Sequence, residues 1–371
     1  MNSHANDLTD LLADYNFELP EHLIAQSPAP TREAARLLVV RRHPERGLPQ
    51  LEDLLVKDLP QLIRETPSLQ NSLWIRNRSR VIPARFYVRR PTGSRHEIVL
   101  LEEFSPGLWT AMIRGQSSFY YPQKLYSEKL ESFRLESPEP GRIRFLPKND
   151  LSVAHFLEAH GEMPLPPYIK NRIPERDRDR YQTVWSRPDK AASVAAPTAS
   201  LHFTPELCAQ MTDLGLSFAD VILHVGLGTF EPVRTEKLSE HQLHEERVEV
   251  SNKSLELIRT QLQNKRPIVT VGTTALRTLE SLCVLGEATR PGVSLQPGPE
   301  GLEGRTRLFV RPGLEFRYTD ALFTNFHLPK STLLVLVASF AGSRKLMGEA
   351  YDHAVKKSYR FFSFGDASLW I

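Results

Sequence analysis

Three histidines in this sequence each close a short apolar run and stand near hydroxyl or amide side chains. His202 ends "SVAAPTASLH", with Pro197 and Thr198 just before it. His224 follows "FADVIL" and leads into Gly226-Leu227-Gly228-Thr229, and His327 ends "TNFH", after Thr324 and Asn325. A fourth segment, Gly272-Thr273-Thr274 in "VGTTALRT", sets two hydroxyls and the free N–H groups of a helix start where a strand ends. Imidazoles, hydroxyls and amides can move a proton or fix a sugar hydroxyl, and a helix N-terminus can receive a carboxylate. Each histidine has a second reading, as a hydrogen-bonded structural residue at a strand end. The stretch from Ala195 to Ser200 is nearly all small side chains, which lets its backbone come close to a neighbour, a ligand included.

Other chemistries leave no comparable trace. The sequence has no GxGxxG, no Walker pattern and no GxSxG elbow. His241 and His244 in "SEHQLHEER" lack the HExxH spacing, and that segment reads as a charged helix face, so no metal is expected. The two cysteines, Cys208 and Cys283, have no CxxC partner and suit a reducing compartment.

The elements that must carry these residues alternate. "FADVILHV", "RPIVTV" and "DALFTNFHL" read as strands, each followed by a turn and, after the last two, by the helices "GTTALRTLESL" and "PKSTLLVLVASFAG". Thr204-Pro205-Glu206 is a helix start: a threonine cap, proline at the first position and an acid in the first turn. Before them, "ARLLVVRR" reads as a strand and "LEDLLVKDLPQLIRE" as helical. From about Asn71 the texture changes to short β runs such as "HEIVLLEEF", "LWTAMIRG" and "RIRFLP". The fold class expected is α/β: a mixed-sheet α/β domain interrupted by a small antiparallel β-barrel insertion. The discontinuous domain takes residues 1–70 and 150–371, and the insertion 71–149.

At 371 residues the chain is long for one core. Apolar residues at 40% and charged residues at 25% describe an ordinary globular protein, and a net charge of +3 does not by itself announce nucleic acid. Without a signal-like amino terminus or a long apolar run, a soluble cytoplasmic protein is expected. Charge is informative locally. Between Gln61 and Leu100 lie eight arginines, no lysine and two glutamates, and Trp74, Phe86 and Tyr87 interleave with them. Such a strand pair could track a phosphate backbone, or form a solvated sheet face.

Read in order, "YNFELPEHLIAQSPAPTREAARLLVV", "RNRSRVIPARF", "LPPYIK", "DRYQTVWS", "SVAAPTASLHFT", "LHVGLGTFEPV", "VGTTALRTLES", "TNFHLPKSTLLVLVASFAG" and "YRFFSFGDASLWI" resemble the S-adenosylmethionine:tRNA ribosyltransferase-isomerase family of queuosine biosynthesis. The resemblance covers nearly the whole chain and is weakest between about Pro91 and Asn149. It implies an α/β domain interrupted by a small β-barrel. It also implies a reaction in which S-adenosylmethionine, as co-substrate and with no prosthetic group, gives its ribosyl part to 7-aminomethyl-7-deazaguanine at the tRNA wobble position. Epoxyqueuosine forms, and adenine and methionine leave. The implied partners are S-adenosylmethionine and the tRNA anticodon arm, with no membrane and a monomeric chain.

Carried onto the matching segments, the resemblance implies substrate contacts from Thr198, Thr229, Thr273, Thr274, Arg277, Asn325, Lys330 and Ser331. RNA contacts are implied for Asn77, Arg80, Arg85, Lys170, Tyr181 and Gln182, and His202, His224, His327 and Glu246 are the candidates for proton transfer. Three positions depart from the family pattern. Arg78 stands where an acid or amide is usual, Glu231 where arginine is usual and Ser200 where glycine is usual. Arg78 and Glu231 compensate each other only if they are close. These exchanges motivate the competing reading, a catalytically altered paralogue that binds tRNA or a nucleoside.

Overall fold

The computed structural model describes residues 7–43, 49–126, 133–147, 152–226, 233 and 235–371. The chain enters through β1 (Arg36–Val40) and β2 (Leu51–Leu55), then α1 (Leu59–Glu65) and β3 (Leu73–Asn77). A run of strands follows: β4 (Arg80–Val81), β5 (Arg85–Arg89), β6 (Arg95–Ser105), β7 (Leu108–Ile113), β8 (Gln123–Leu125), β9 (Phe133–Ser137) and β10 (Arg142–Pro147). Helices α2 (Val153–His160) and α3 (Pro174–Arg180) lead through β11 (Ala191–Ser193) to α4 (Pro205–Asp213) and β12 (Ser217–Leu223). Then come β13 (Glu246–Ser251), α5 (Asn252–Gln263), β14 (Ile268–Val271), α6 (Thr273–Glu280), β15 (Val293–Pro297) and β16 (Gly301–Thr306). The chain ends with β17 (Ala321–Asn325), α7 (Thr332–Ala341), α8 (Arg344–Lys356) and β18 (Ala367–Trp370).

Ten strands form one mixed sheet in the order β15-β16-β13-β12-β3-β14-β17-β18-β1-β2. Its centre, β12-β3-β14-β17, is parallel throughout, so the carboxyl ends of four strands lie along one edge. Those strands are apolar on both faces because helices cover both: β14 and β17 are buried at every position. α7 is correspondingly apolar all round, and Leu334 to Ala341 are all buried. The helix starts follow the expected chemistry. The Thr204 hydroxyl accepts from Leu207 N at 3.1 Å, and Ser331 accepts from Leu334 N at 3.2 Å.

A separate six-stranded antiparallel sheet takes the order β5-β6-β7-β10-β9-β8 and packs its apolar face, including Phe86, Ile98, Leu100, Ile143 and Phe145, against α2. It is curled: edge strands β5 and β8 approach at one isolated bridge, Arg89 with Tyr126. Among the described residues no ladder of hydrogen bonds closes it into the expected barrel.

Three expectations change. β3 belongs to the large sheet, so the switch between sheets falls after Asn77 and not at residue 71; a central parallel strand has the same β-rich texture as the insertion that follows it. Leu51–Leu55 is an edge strand paired with β1, not part of a helix. "SEHQLHEER" is no helix either: after a single short turn it runs into β13, which starts at Glu246. Among the described residues no helix is long and apolar enough to cross a membrane.

Candidate active site

The carboxyl ends of β12, β14 and β17 border a cavity of about 650 Å³. Small walls come from Ala195, Ala196 and Ala199, and apolar ones from Val225, Phe326, Leu333 and Phe362. Hydroxyls come from Thr198, Thr273, Thr274, Thr324, Ser363, Tyr168 and Tyr181, with an amide from Asn325 and an imidazole from His327. No side chain lining it carries a formal charge at neutral pH. The small residues serve close approach. At Gly272, whose φ of +88° turns β14 into α6, an added Cβ would stand 3.4 Å from the Ala199 Cβ. α6 has no side-chain cap, so its first N–H groups are left to the cavity.

The orientation of Asn325 decides what the cavity offers. Its Nδ2 donates to the Phe362 carbonyl at 3.2 Å and to His202 Nε2 at 3.2 Å. Because one of these partners is a carbonyl, the atom facing it must be the amide nitrogen. Oδ1 is then buried with no partner, an acceptor held ready beside the cavity. The same bond fixes His202 as the tautomer that accepts at Nε2, while its other nitrogen is set to donate to the Arg32 carbonyl. Burial first, then the nearby charges of Arg360 and Arg32, lower the His202 pKa to about 3. Burial alone lowers His327 to about 3. Both rings are neutral at pH 7, where holding a proton on either would cost about 5 kcal/mol. His202 therefore positions Asn325 from behind and does not face the cavity. His327 does face it, with Nε2 3.1 Å from the Thr324 hydroxyl.

The other proposed contacts divide. Thr274 Oγ1 accepts from Asn77 Nδ2 at 3.3 Å, while Thr273 has no protein partner for its hydroxyl among the described residues. Arg277 and Glu246 form a buried ion pair that lines a neighbouring cavity, with Leu333 common to both. His224 lies off the main cavity, 3.5 Å from Glu249. Lys330 is exposed, and Ser331 spends its hydroxyl on capping α7 and on the Leu328 carbonyl. Thr229 and Glu231 lie outside the described residues.

Most of the residues expected to contact RNA are buried or paired within the chain. Asn77 is fully buried, bonding Leu223 on both its backbone groups as well as Thr274. Arg85 is 4% exposed: it pairs with Glu97 at 2.9 Å and donates to the carbonyls of Met163 and Leu165. Gln182 exchanges two hydrogen bonds with the Val81 backbone, and Tyr181 is a cavity wall. Arg76 and Arg78 both pair with Asp220 at 2.7 Å, which satisfies Arg78 without Glu231. Lys170 is exposed but paired with Glu21. Arg80 alone is half-buried with no ion-pair partner among the described residues. An arginine-rich strand looks the same whether its charges face RNA or pair with a neighbouring strand, and here Arg76, Arg78 and Arg85 pair with neighbouring strands. Replacing Arg85 by glutamine should cost about 2 kcal/mol of stability, since it leaves Glu97 with only the longer 4.0 Å pair to Arg172, and should leave the salt dependence of RNA binding unchanged. Denaturant melts and binding at several salt concentrations check both.

A family model described as queuosine biosynthesis protein matches residues 12–370. The chain belongs to this family. Among its curated relatives, proteins named S-adenosylmethionine:tRNA ribosyltransferase-isomerase from Thermosipho africanus and Thermotoga petrophila are 44% and 42% identical. Each match spans 96% of this chain, with 98% and 99% of the relative. The Thermus thermophilus protein of the same name is 42% identical over 96% of this chain and 99% of its own length. A crystal structure of S-adenosylmethionine tRNA ribosyltransferase from Thermotoga maritima is 32% identical, covers 96% of this chain and all of its own, and superposes with a TM-score of 0.51. The queuosine biosynthesis family match thus includes both sheets and every cavity wall.

Reading the sequence missed Tyr168, Phe362 and Ser363 as cavity walls. The one local signal was "YRFFSFGDASLWI", where Phe362 adopts a φ of +76°, a conformation that is strained for a bulky side chain. That turn aims the Phe362 carbonyl at Asn325 and brings the Ser363 hydroxyl against Tyr168. Tyr181 is fully buried, and burial raises its pKa to about 12; its hydroxyl has no well-aligned partner, although Ser363 and the Ala196 peptide lie near.

Proposed function

We propose that this chain transfers the ribosyl part of S-adenosylmethionine to the aminomethyl group of 7-aminomethyl-7-deazaguanine at the tRNA wobble position. It then isomerises that unit to epoxyqueuosine, with release of adenine and methionine. The observation that carries the reading is the single cavity that unites Thr198, Thr273, Thr274, Asn325 and His327 around an unpartnered amide carbonyl. The names of the curated relatives support the same reaction.

The chemistry asks for such a cavity. The positive sulfur acidifies the neighbouring C5′ protons, and adenine leaves more readily when its ring nitrogens are hydrogen-bonded. The acceptor amine must be neutral to attack, and the sugar hydroxyls need fixed partners while the ribose is rebuilt. A site lined by neutral dipoles binds a sulfonium without pairing it to a carboxylate that would have to be desolvated. Asn325 Oδ1 accepts from a sugar hydroxyl or exocyclic amine, the hydroxyls hold the ribose, and the open start of α6 receives the methionine carboxylate. In the same proposal the antiparallel sheet is an inserted barrel-like unit, the RNA presents its anticodon arm, and the chain works as a cytoplasmic monomer without a prosthetic group.

Incubation with S-adenosylmethionine and tRNA carrying 7-aminomethyl-7-deazaguanine should yield adenine, methionine and epoxyqueuosine. Bound but unaltered tRNA would indicate the altered paralogue, and S-adenosylhomocysteine would indicate a methyltransferase. Two threonine variants refine the site. Thr273→Val removes a hydroxyl that no group among the described residues uses, so it should weaken S-adenosylmethionine binding by about 1–3 kcal/mol and leave stability unchanged. Thr274→Val should lower both, because Asn77 loses an acceptor. Calorimetry showing full affinity in Thr273→Val would remove the α6 start from the site.

A further inference from the structure

Behind the His202–Asn325 hydrogen bond lies a second cavity of about 270 Å³, bordered by Arg32, Arg180 and Arg360 and sharing Ser363 with the larger one. The three guanidiniums come from distant parts of the sequence and are each held by the chain's own carbonyls. Arg32 donates to Leu201 and Asp179, Arg180 to Ala29 and Pro30, and Arg360 to Ser27. Carbonyls orient a guanidinium without neutralising it. Arg360 has one carboxylate, Asp366, at 3.4 Å, and that group also accepts from the backbone N–H groups of Arg36 and Arg360. Neither Arg32 nor Arg180 has a carboxylate at ion-pair distance among the described residues; the Asp179 charge acts on both from further away. Burial, and next the Arg180 charge, hold the Arg32 pKa below the ordinary arginine range, so the cations repel one another as they stand. Arg180 Nε is buried with no acceptor. Clustered cations with a spare, desolvated N–H fit an anion with several acceptor oxygens.

We propose that this cavity holds a backbone phosphate of the RNA substrate, at the linkage next to the nucleotide whose base enters the larger cavity. The proposal rests on the ribosyl-transfer reading, since that reading brings an RNA base to the neighbouring wall. The two cavities share Ser363, with Asn325 lining one and His202 the other, so they lie close enough for neighbouring groups of one RNA strand to occupy both. Arg76, Arg78 and Arg85 of the arginine-rich strands are taken up by internal pairs and do not fill this role.

The test is a binding cycle with an anticodon stem-loop RNA in which the linkage on either side of the wobble nucleotide is replaced, in turn, by an uncharged methylphosphonate. One of the two replacements should weaken binding to the unaltered protein about tenfold. Arg180→Gln should weaken binding of the normal RNA by a similar factor, with a salt slope shallower by about 0.7. That variant should then be indifferent to the same methylphosphonate. Additive losses, or indifference of the unaltered protein to both replacements, would overturn the assignment. Should Arg180→Gln fail to fold, the same cycle with Arg360→Gln decides. A free-anion site is recognised by inorganic phosphate raising the melting temperature while both methylphosphonate RNAs bind normally, which also overturns the proposal. Failure of the ribosyl-transfer reading shows separately, as absence of adenine release from the unaltered protein with unmodified linkages.

Discussion

Replacing Asn325 by alanine is expected to lower the rate of adenine release by about 10²-fold or more, the scale on which a preorganised polar group in a closed site contributes. Alanine removes the Oδ1 acceptor from the cavity wall, leaves His202 Nε2 without its donor and leaves the Phe362 carbonyl with the Gly365 N–H alone. His202→Gln should act more mildly, because a glutamine oxygen can accept from Asn325 in place of Nε2. If His202 were the proton carrier, the order would reverse, with His202→Gln the more damaging and Asn325→Ala the milder. Single-turnover rates of folded variants distinguish the two orders. A rate within threefold of normal for Asn325→Ala would remove the amide from the chemistry.

The sequence displayed the site more clearly than it displayed the roles within it. Strand-end loops gather at one edge of a parallel sheet by topology, so Thr198, Thr273, Thr274, Asn325 and His327 could be placed together once the strands were recognised. The close packing of Ala199 on Gly272 is also legible, because small residues beside a strand–helix glycine have few other uses. What could not be read was direction. Whether an imidazole at a strand end looks into a cavity or away from it depends on the partner across the wall, and for His202 that partner is 123 residues distant. Tyr168 and Ser363 escaped for a similar reason, since neither lies on a recognised strand end and their contact bridges 195 residues.

The arginines illustrate the opposite failure. Density of charge was visible and its satisfaction was not: Asp220 lies 144 residues from Arg76 and 142 from Arg78. Arg32 and Arg180, which have no carboxylate at ion-pair distance among the described residues, lie 148 residues apart in the sequence and join Arg360 only in the fold. Local texture misled at β2 and β3 too. A short amphipathic strand before a helix resembles the helix, and a buried central strand resembles the sheet that follows it.

The two neutral imidazoles also predict how the fold responds to acid. With folded pKa values of about 3 against about 6.5 in the unfolded chain, the unfolded state binds more protons throughout the interval between them. Stability therefore rises with pH across that interval and falls as pH drops below about 6.5. By pH 5 each histidine should have cost about 2 kcal/mol, about 4 together, relative to pH 8. Denaturant midpoints at pH 8 and pH 5 measure the sum, and His202→Gln and His327→Gln should each remove about half of it. If the midpoint were the same at both pH values, the rings would not be buried as neutral groups, and the tautomer that fixes Asn325 would lose its basis. Activity gives an independent check, because a ring that stays neutral until the protein unfolds contributes no pKa of its own near 6.5. Between pH 6 and 8 neither His202→Gln nor His327→Gln should then move the inflections of the rate profile, even where the rate itself falls.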